Sequence, residues 1–271
     1  TWFGDSWRQG GGTAWGYFTY DSESNLFYYG TANCAPWNPD YRRDPATAPG
    51  LEQYTSKYCA SLLARDATTG ELIWAYSHTP QDQWDFDEPG QNILADVMID
   101  GVEHQALLKP ARNGVFYVFD RLTGEMLVAP WEYTTVTWSE GVDLTTGMPS
   151  FEESALVYTD IPTEEPVCPF IAGNNWYNDA YSPRTGLVYF AAENRCATFT
   201  GTEGAYVPGE SFLLMSFSNI GTGPGGWAGE LQAWDPITGQ KVWGLKAAVG
   251  QDNKPVMATA GDLVFGGTDS G

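Results

Sequence analysis

Asp66-Ala-Thr-Thr-Gly70-Glu-Leu-Ile-Trp74 is one copy of a phrase the chain repeats. It reads Asp or Ser, four residues to Gly or Asn, four more to a hydrophobic residue. The other copies are Asp21–Asn25–Tyr29, Asp120–Gly124–Val128, Ser182–Gly186–Phe190 and Asp235–Gly239–Trp243, with starts 45, 54, 62 and 53 residues apart. Each reads as a tight turn between strands. The Asp or Ser bonds the turn backbone, the Gly or Asn accepts positive φ, and the last residue docks in a core. Helical periodicity is nearly absent, and Leu26–Asn33 resembles Leu187–Asn194 as a strand. A long-period repeat of strands with docked tryptophans predicts an all-β fold, a β-propeller of four-stranded blades. A β-sandwich would leave the repeated Trp-bearing turn unexplained.

The spacing predicts about four to five blades over residues 1–271, in one partial propeller domain. Thr1 and Gly271 both read as cut ends, so closing blades are expected outside this stretch. Long inter-strand stretches at 34–61, 129–175 and 195–229 are expected to be functional or accessory loops. The Pro-rich run 43–50 reads as an exposed excursion.

Twelve Trp, 15 Tyr and 13 Phe favour strands and flat stacking surfaces. The net charge of −21 argues against nucleic acid and anionic membranes as partners, and no apolar run is long enough to span a bilayer. Four cysteines (Cys34, Cys59, Cys168, Cys196) and two histidines include no C-x-x-C pair, which argues against structural zinc and c-type haem. They are either buried thiols or two disulfides; the latter would imply an oxidising compartment.

Asp85 and Asp87, two residues apart, would share one face of an extended strand, and flanking Trp84 and Phe86 suggest a desolvated pocket rather than a solvated acidic loop. Two converging carboxylates repel unless a cation lies between them. Asn33 offers a neutral oxygen suited to a hard cation, though a plain turn Asn reads the same way. Trp15 follows three glycines, where backbone can approach a planar ligand; core packing is the other reading. Arg112 precedes Asn-Gly, the context of a turn.

Trp2-Phe-Gly-Asp-Ser-Trp7 with Gly10-Gly-Gly-Thr-Ala-Trp-Gly16, Gly30-Thr-Ala-Asn-Cys-Ala-Pro-Trp-Asn-Pro39, Thr79-Pro-Gln-Asp-Gln-Trp-Asp-Phe-Asp87 and Arg112-Asn-Gly-Val-Phe-Tyr-Val-Phe-Asp-Arg121 resemble, in order, the quinoprotein methanol and ethanol dehydrogenases. That family has an eight-bladed propeller and uses pyrroloquinoline quinone (PQQ). The resemblance implies that Asp85 is the base for a primary alcohol and Arg112 a donor to the quinone oxygens. It implies Trp15 stacked under the PQQ ring, Thr13 and Asn175 in contact with the cofactor, and Asn33, Asp85 and Asp87 on a metal ion. Asp87 matches the extra carboxylate of lanthanide-using members, which favours a lanthanide over calcium. Cys168–Cys196 matches a disulfide of the family; Cys34–Cys59 is expected from parity alone. Hydride transfer to PQQ, a soluble cytochrome c as acceptor and a periplasmic location complete the expectation. The rival readings are a carbohydrate-active enzyme using two carboxylates and a non-catalytic propeller that binds proteins or sugars.

Overall fold

A computed structural model describes residues 2–44, 56–246 and 255–267. Its first sheet runs in order through β1 (Ala14–Asp21), β2 (Leu26–Thr31), β3 (Ser61–Asp66) and β4 (Leu72–Ser77), all antiparallel. The second is β5 (Ile93–Ile99), β6 (Val102–Pro110), β7 (Val115–Asp120) and β8 (Trp131–Glu132). A short hairpin, β9 (Val142–Asp143) with β10 (Met148–Pro149), follows. The third sheet opens with β11 (Ala180–Ser182) and β12 (Leu187–Glu193). The chain then leaves for the hairpin β13 (Arg195–Gly201) and β14 (Met215–Thr222), and returns as β15 (Gly229–Asp235) and β16 (Gln240–Lys246). A last pair, β17 (Met257–Ala258) and β18 (Val264–Phe265), begins a further unit.

These are propeller blades, and alternation shows why they stack. In β6 and β7, Ala106, Leu108, Phe116 and Val118 pack toward the third sheet against Val188, Phe190, Ala192 and Trp234. The intervening Leu107, Val115, Tyr117 and Phe119 pack toward the first, against Leu26, Tyr28, Leu62 and Trp74. Side chains alternate along a strand, so a sheet covered on both faces reads as a continuous apolar run. Val115–Phe119 is such a run, every residue of it buried.

The repeated turns form as expected. Gly70, Gly124, Gly186 and Gly239 each donate their N–H to the carbonyl four residues back, all with positive φ. Asp66, Asp120 and Asp235 accept backbone N–H bonds two and three residues on. The turns occur up to twice per blade, however, because Asp21–Asn25 joins β1 to β2 and Asp66–Gly70 joins β3 to β4. The repeat therefore overcounts: among the described residues three blades are complete and β17–β18 starts another, where about four to five were expected.

Docking runs between blades. Trp74 at the end of the first blade lies on Gly124, where a Cβ would come within 2.7 Å of the indole, and its Nε1 donates to the Arg121 carbonyl at 3.0 Å. Trp131 makes the same contact with Gly239 in the next blade and donates to the Pro236 carbonyl. In the second blade Val128 packs in the interblade core, as expected, and Trp131 supplies the indole that covers the next blade's glycine. Arg43 also departs from expectation: it is buried and paired with Asp40, and residues 45–50 of the Pro-rich run lie outside the described residues.

Removing a buried indole costs about 3–5 kcal/mol. Trp74→Ala should lower the urea-unfolding free energy of the full-length protein by that order. A loss under about 1 kcal/mol would show that the Trp–Gly dock does not hold adjacent blades together.

Candidate active site

The candidate residues meet where the loop after β4 crosses the first blade. Residues 87–90 lie flat on β1 and β2 because glycine leaves them room: a Cβ on Gly30 would sit 1.5 Å from the Glu88 carbonyl oxygen, and one on Gly16 2.2 Å from that of Pro89. Glu88 N–H donates to Thr31 O at 3.0 Å and Tyr17 N–H to Pro89 O at 3.3 Å. From this seat Asp87 accepts from Trp15 Nε1 at 2.7 Å and from the Asn33 N–H at 2.5 Å. Gly11 lets the backbone approach Asn33, whose carbonyl accepts from Gly12 N–H at 3.0 Å.

Asp85 is held differently from the sequence expectation. The segment is no strand, and Asp85 has φ +69°. The two carboxylates converge through this left-handed residue instead of through strand alternation. Asp82 shapes the loop: its two carboxylate oxygens accept the N–H groups of Trp84 and Phe86, each at 3.0 Å. Burial pushes its carboxyl up to about 6. Trp84 and Phe86 are fully buried against Trp138, which supplies the dry wall the sequence suggested.

Arg112 stands in the turn between β6 and β7 and is 5% exposed, not a surface arginine. Its Nη2 donates to Asp85 Oδ2 at 2.8 Å, and its Nη1 lies 3.6 Å from Asp87 Oδ2. Desolvation is the largest influence on Asp85 and lifts its carboxyl to about 8; Arg112 opposes this and Asp87 reinforces it.

Trp15, Asn33, Asp85, Asp87 and Arg112 are therefore one contact network. Thr13 sits two residues before Trp15 with an exposed side chain, and its carbonyl accepts from Ala32 N–H at 2.9 Å. Asn175 is half-buried at the far end of the 87–90 segment, its carbonyl 3.1 Å from the Cβ position of Gly90. Among the described residues neither side chain hydrogen-bonds to the network, and Asn175 Oδ1 accepts from Trp176 N–H. The adjacent Asn174 is buried and bonded to Asp179 and Ala191.

The donor set suits a hard cation. Asp85 and Asp87 offer carboxylate oxygens, and the Asn33 amide commits its nitrogen to the Cys34 carbonyl at 2.9 Å, leaving its oxygen end as a ligand. Each oxygen of Asp87 keeps a lone pair beyond the hydrogen bond it accepts. No group of three His, Cys, Asp or Glu suited to a metal occurs among the described residues. The planar face of Trp15, with 36% of the residue exposed and the indole nitrogen fixed, fits an aromatic cofactor.

Cys168 and Cys196 are disulfide-bonded. Cys34 and Cys59 are not; both are buried free thiols. The Cys59 thiol lies in hydrogen-bonding reach of Cys34 and 3.4 Å from the Gly10 carbonyl, so the two cysteines sit side by side but unbonded, and the pairing expected from parity is not formed. Asp82, Lys109, Glu88 and Ile171 were not singled out from sequence. Lys109 is fully buried and donates to the Gly90 carbonyl at 2.8 Å, with Glu88 Oε2 at 3.5 Å, so it ties the loop to β6.

A profile for the PQQ glucose/ethanol/alcohol dehydrogenase β-propeller domain matches residues 1–143. A quinohemoprotein alcohol dehydrogenase of Pseudomonas putida, ADH-IIG, is 37% identical over 286 residues, covering all of this chain and 38% of that protein. A lanthanide-dependent methanol dehydrogenase of Methylorubrum extorquens is 35% identical over 281 residues, covering all of this chain and 45% of that protein. A europium-containing methanol dehydrogenase structure superposes with a TM-score of 0.90 at 31% identity, over 100% of this chain and 46% of that one. The chain spans less than half the length of these relatives.

Asp85's folded-state carboxyl lies above its unfolded value, so its contribution to stability is full below about pH 4 and is lost as pH rises toward about 8. In metal-free full-length protein, raising the pH from about 5 to about 8 should cost the wild type stability relative to Asp85→Asn. Denaturation curves of the two that stay parallel across this range would show an Asp85 already ionised.

Proposed function

This chain belongs to the PQQ glucose/ethanol/alcohol dehydrogenase β-propeller family, and from that membership we infer that the protein oxidises a primary alcohol to its aldehyde with bound PQQ and a metal ion. The observation that carries the reading is the dry contact network in which Arg112 faces both Asp85 and Asp87. When bound, PQQ supplies the acceptor for a hydride and the metal a Lewis acid on the quinone carbonyl.

Asn33, Asp85 and Asp87 would hold the metal, and Trp15, with Thr13 and Asn175, would hold the cofactor. A cation held there would favour ionisation of the buried Asp85 carboxyl, whose carboxylate would accept the alcohol proton. Arg112 Nη1, which lies 3.6 Å from Asp87 Oδ2, is the donor left to stabilise negative charge on the quinone oxygen. Asp87 adds a second carboxylate to the site, and this extra charge favours a trivalent lanthanide over calcium.

Electrons then pass to an external acceptor. The net charge of −21 suits a cationic protein such as a soluble cytochrome c. The Cys168–Cys196 bond supports an oxidising, periplasmic setting.

Losing a general base commonly costs about 10²–10⁴-fold in rate. Asp85→Asn in the full-length enzyme should retain PQQ and lose turnover by that order in a dye-linked alcohol assay. Near-normal turnover would assign the proton to another group.

A further inference from the structure

We propose that the main-chain carbonyl of Ile171 is the positioning group for Arg112, and that the Cys168–Cys196 disulfide acts on the site through it. This rests on the alcohol-oxidising reading above and names a device behind it.

Ile171 O accepts two bonds from Arg112, from Nε at 3.1 Å and from Nη2 at 2.9 Å. A guanidinium is a planar fork that can pair both nitrogens with one carboxylate. Left to itself beside two aspartates, Arg112 would turn its fork onto them. The carbonyl takes up one edge of the fork instead. Nη2 then reaches Asp85 with a single bond, and Nη1 stays 3.6 Å from Asp87. Arg112 is thereby held close enough to bias Asp85 while Nη1 is kept for another oxygen.

The carbonyl is aimed by an unusual backbone. Ile171 has φ +55°, a region that β-branched residues avoid, so its surroundings must impose it. Those surroundings run back to the disulfide. Cys168 is bonded to Cys196 at the start of β13, and its N–H and carbonyl pair with Thr137 Oγ1 and Thr137 N–H. Phe170 N–H donates to Arg195 O at 2.6 Å, one residue before Cys196. Beyond Ile171, Gly173 N–H closes on Arg112 O at 2.7 Å, and Glu193 N–H on Gly173 O at 2.6 Å. Residues 168–173 are thus a short strap, pinned covalently at one end and bonded to the Arg112 turn at the other. The mechanism uses none of these residues directly.

The test is a cycle in the full-length enzyme: wild type, Cys168→Ser with Cys196→Ser, Arg112→Lys, and all three changes together. Lysine keeps the charge but cannot hold Ile171 O and Asp85 with one planar fork. Removing the disulfide from wild type should lower kcat about tenfold and raise the PQQ dissociation constant, with alcohol KM changing less than about twofold. In the Arg112→Lys background the same removal should change kcat and PQQ affinity less than about twofold. Equal factors in both backgrounds would overturn the proposal and leave the disulfide a general staple. Should the serine pair fail to fold, phosphine reduction of the folded wild type and of Arg112→Lys gives the same comparison. In cofactor-free protein the pinning reads as slow solvent exchange of Arg112 Nε–H, lost on reduction; fast exchange before reduction overturns it. A wild type that binds no PQQ would count against the proposed function, and this exchange would still decide the inference.

Discussion

The guanidinium of Arg112 is the constraint on which the candidate site depends. One buried cation stands among Asp85, Asp87 and the Ile171 carbonyl, and both acceptors of its short hydrogen bonds come from residues with left-handed backbone. Asp85 is tied to it by a hydrogen bond at 2.8 Å, while Asp87, held by Trp15 and Asn33, stays 3.6 Å from its Nη1. The propeller supplies the rigidity. Arg112 sits in the turn between β6 and β7, whose side chains are gripped by the neighbouring blades on both faces.

Two loops bring their groups to that fixed point by different means. The segment carrying Asp85 and Asp87 is seated by close backbone contact on Gly16 and Gly30 and by Lys109. Asp82 then folds the peptide between them, accepting the N–H groups of both aromatic residues that wall the pocket. Glu88 follows directly, buried beside Lys109 and His78, with burial lifting its carboxyl to about 8. Burial of these acids together raises their carboxyls toward the neutral form in the absence of bound metal. A cation placed among them would favour their ionised forms.

Sequence reading reached the blades and most of the network, because both are written in side chains. The Asp-x-x-x-Gly turns bond their own backbone, and Trp74 carries its docking role in its size and its N–H. Where the reading erred, the cause was geometric. The turn repeat was counted once per blade although β1–β2 and β3–β4 each carry one. Asp85 and Asp87 do converge, through φ +69° at Asp85 and not through strand alternation. Parity brought Cys34 and Cys59 together correctly in space, but the two thiols stay free. Ile171 was out of reach altogether, since it acts through a main-chain oxygen that every residue possesses.

The proposed function requires Asp85, Asp87 and Asn33 to bind a trivalent cation within reach of Trp15. Terbium titrated into the metal-free full-length protein, with excitation of tryptophan, tests it directly, because Trp15 Nε1 lies 2.7 Å from Asp87 Oδ2. Sensitised terbium emission should appear in the wild type, fall sharply in Trp15→Phe, and need about tenfold more terbium in Asp87→Ala, a loss of about 1.4 kcal/mol. Excess calcium should displace it poorly. Emission of equal strength and equal affinity in the wild type and in both variants would contradict the claim.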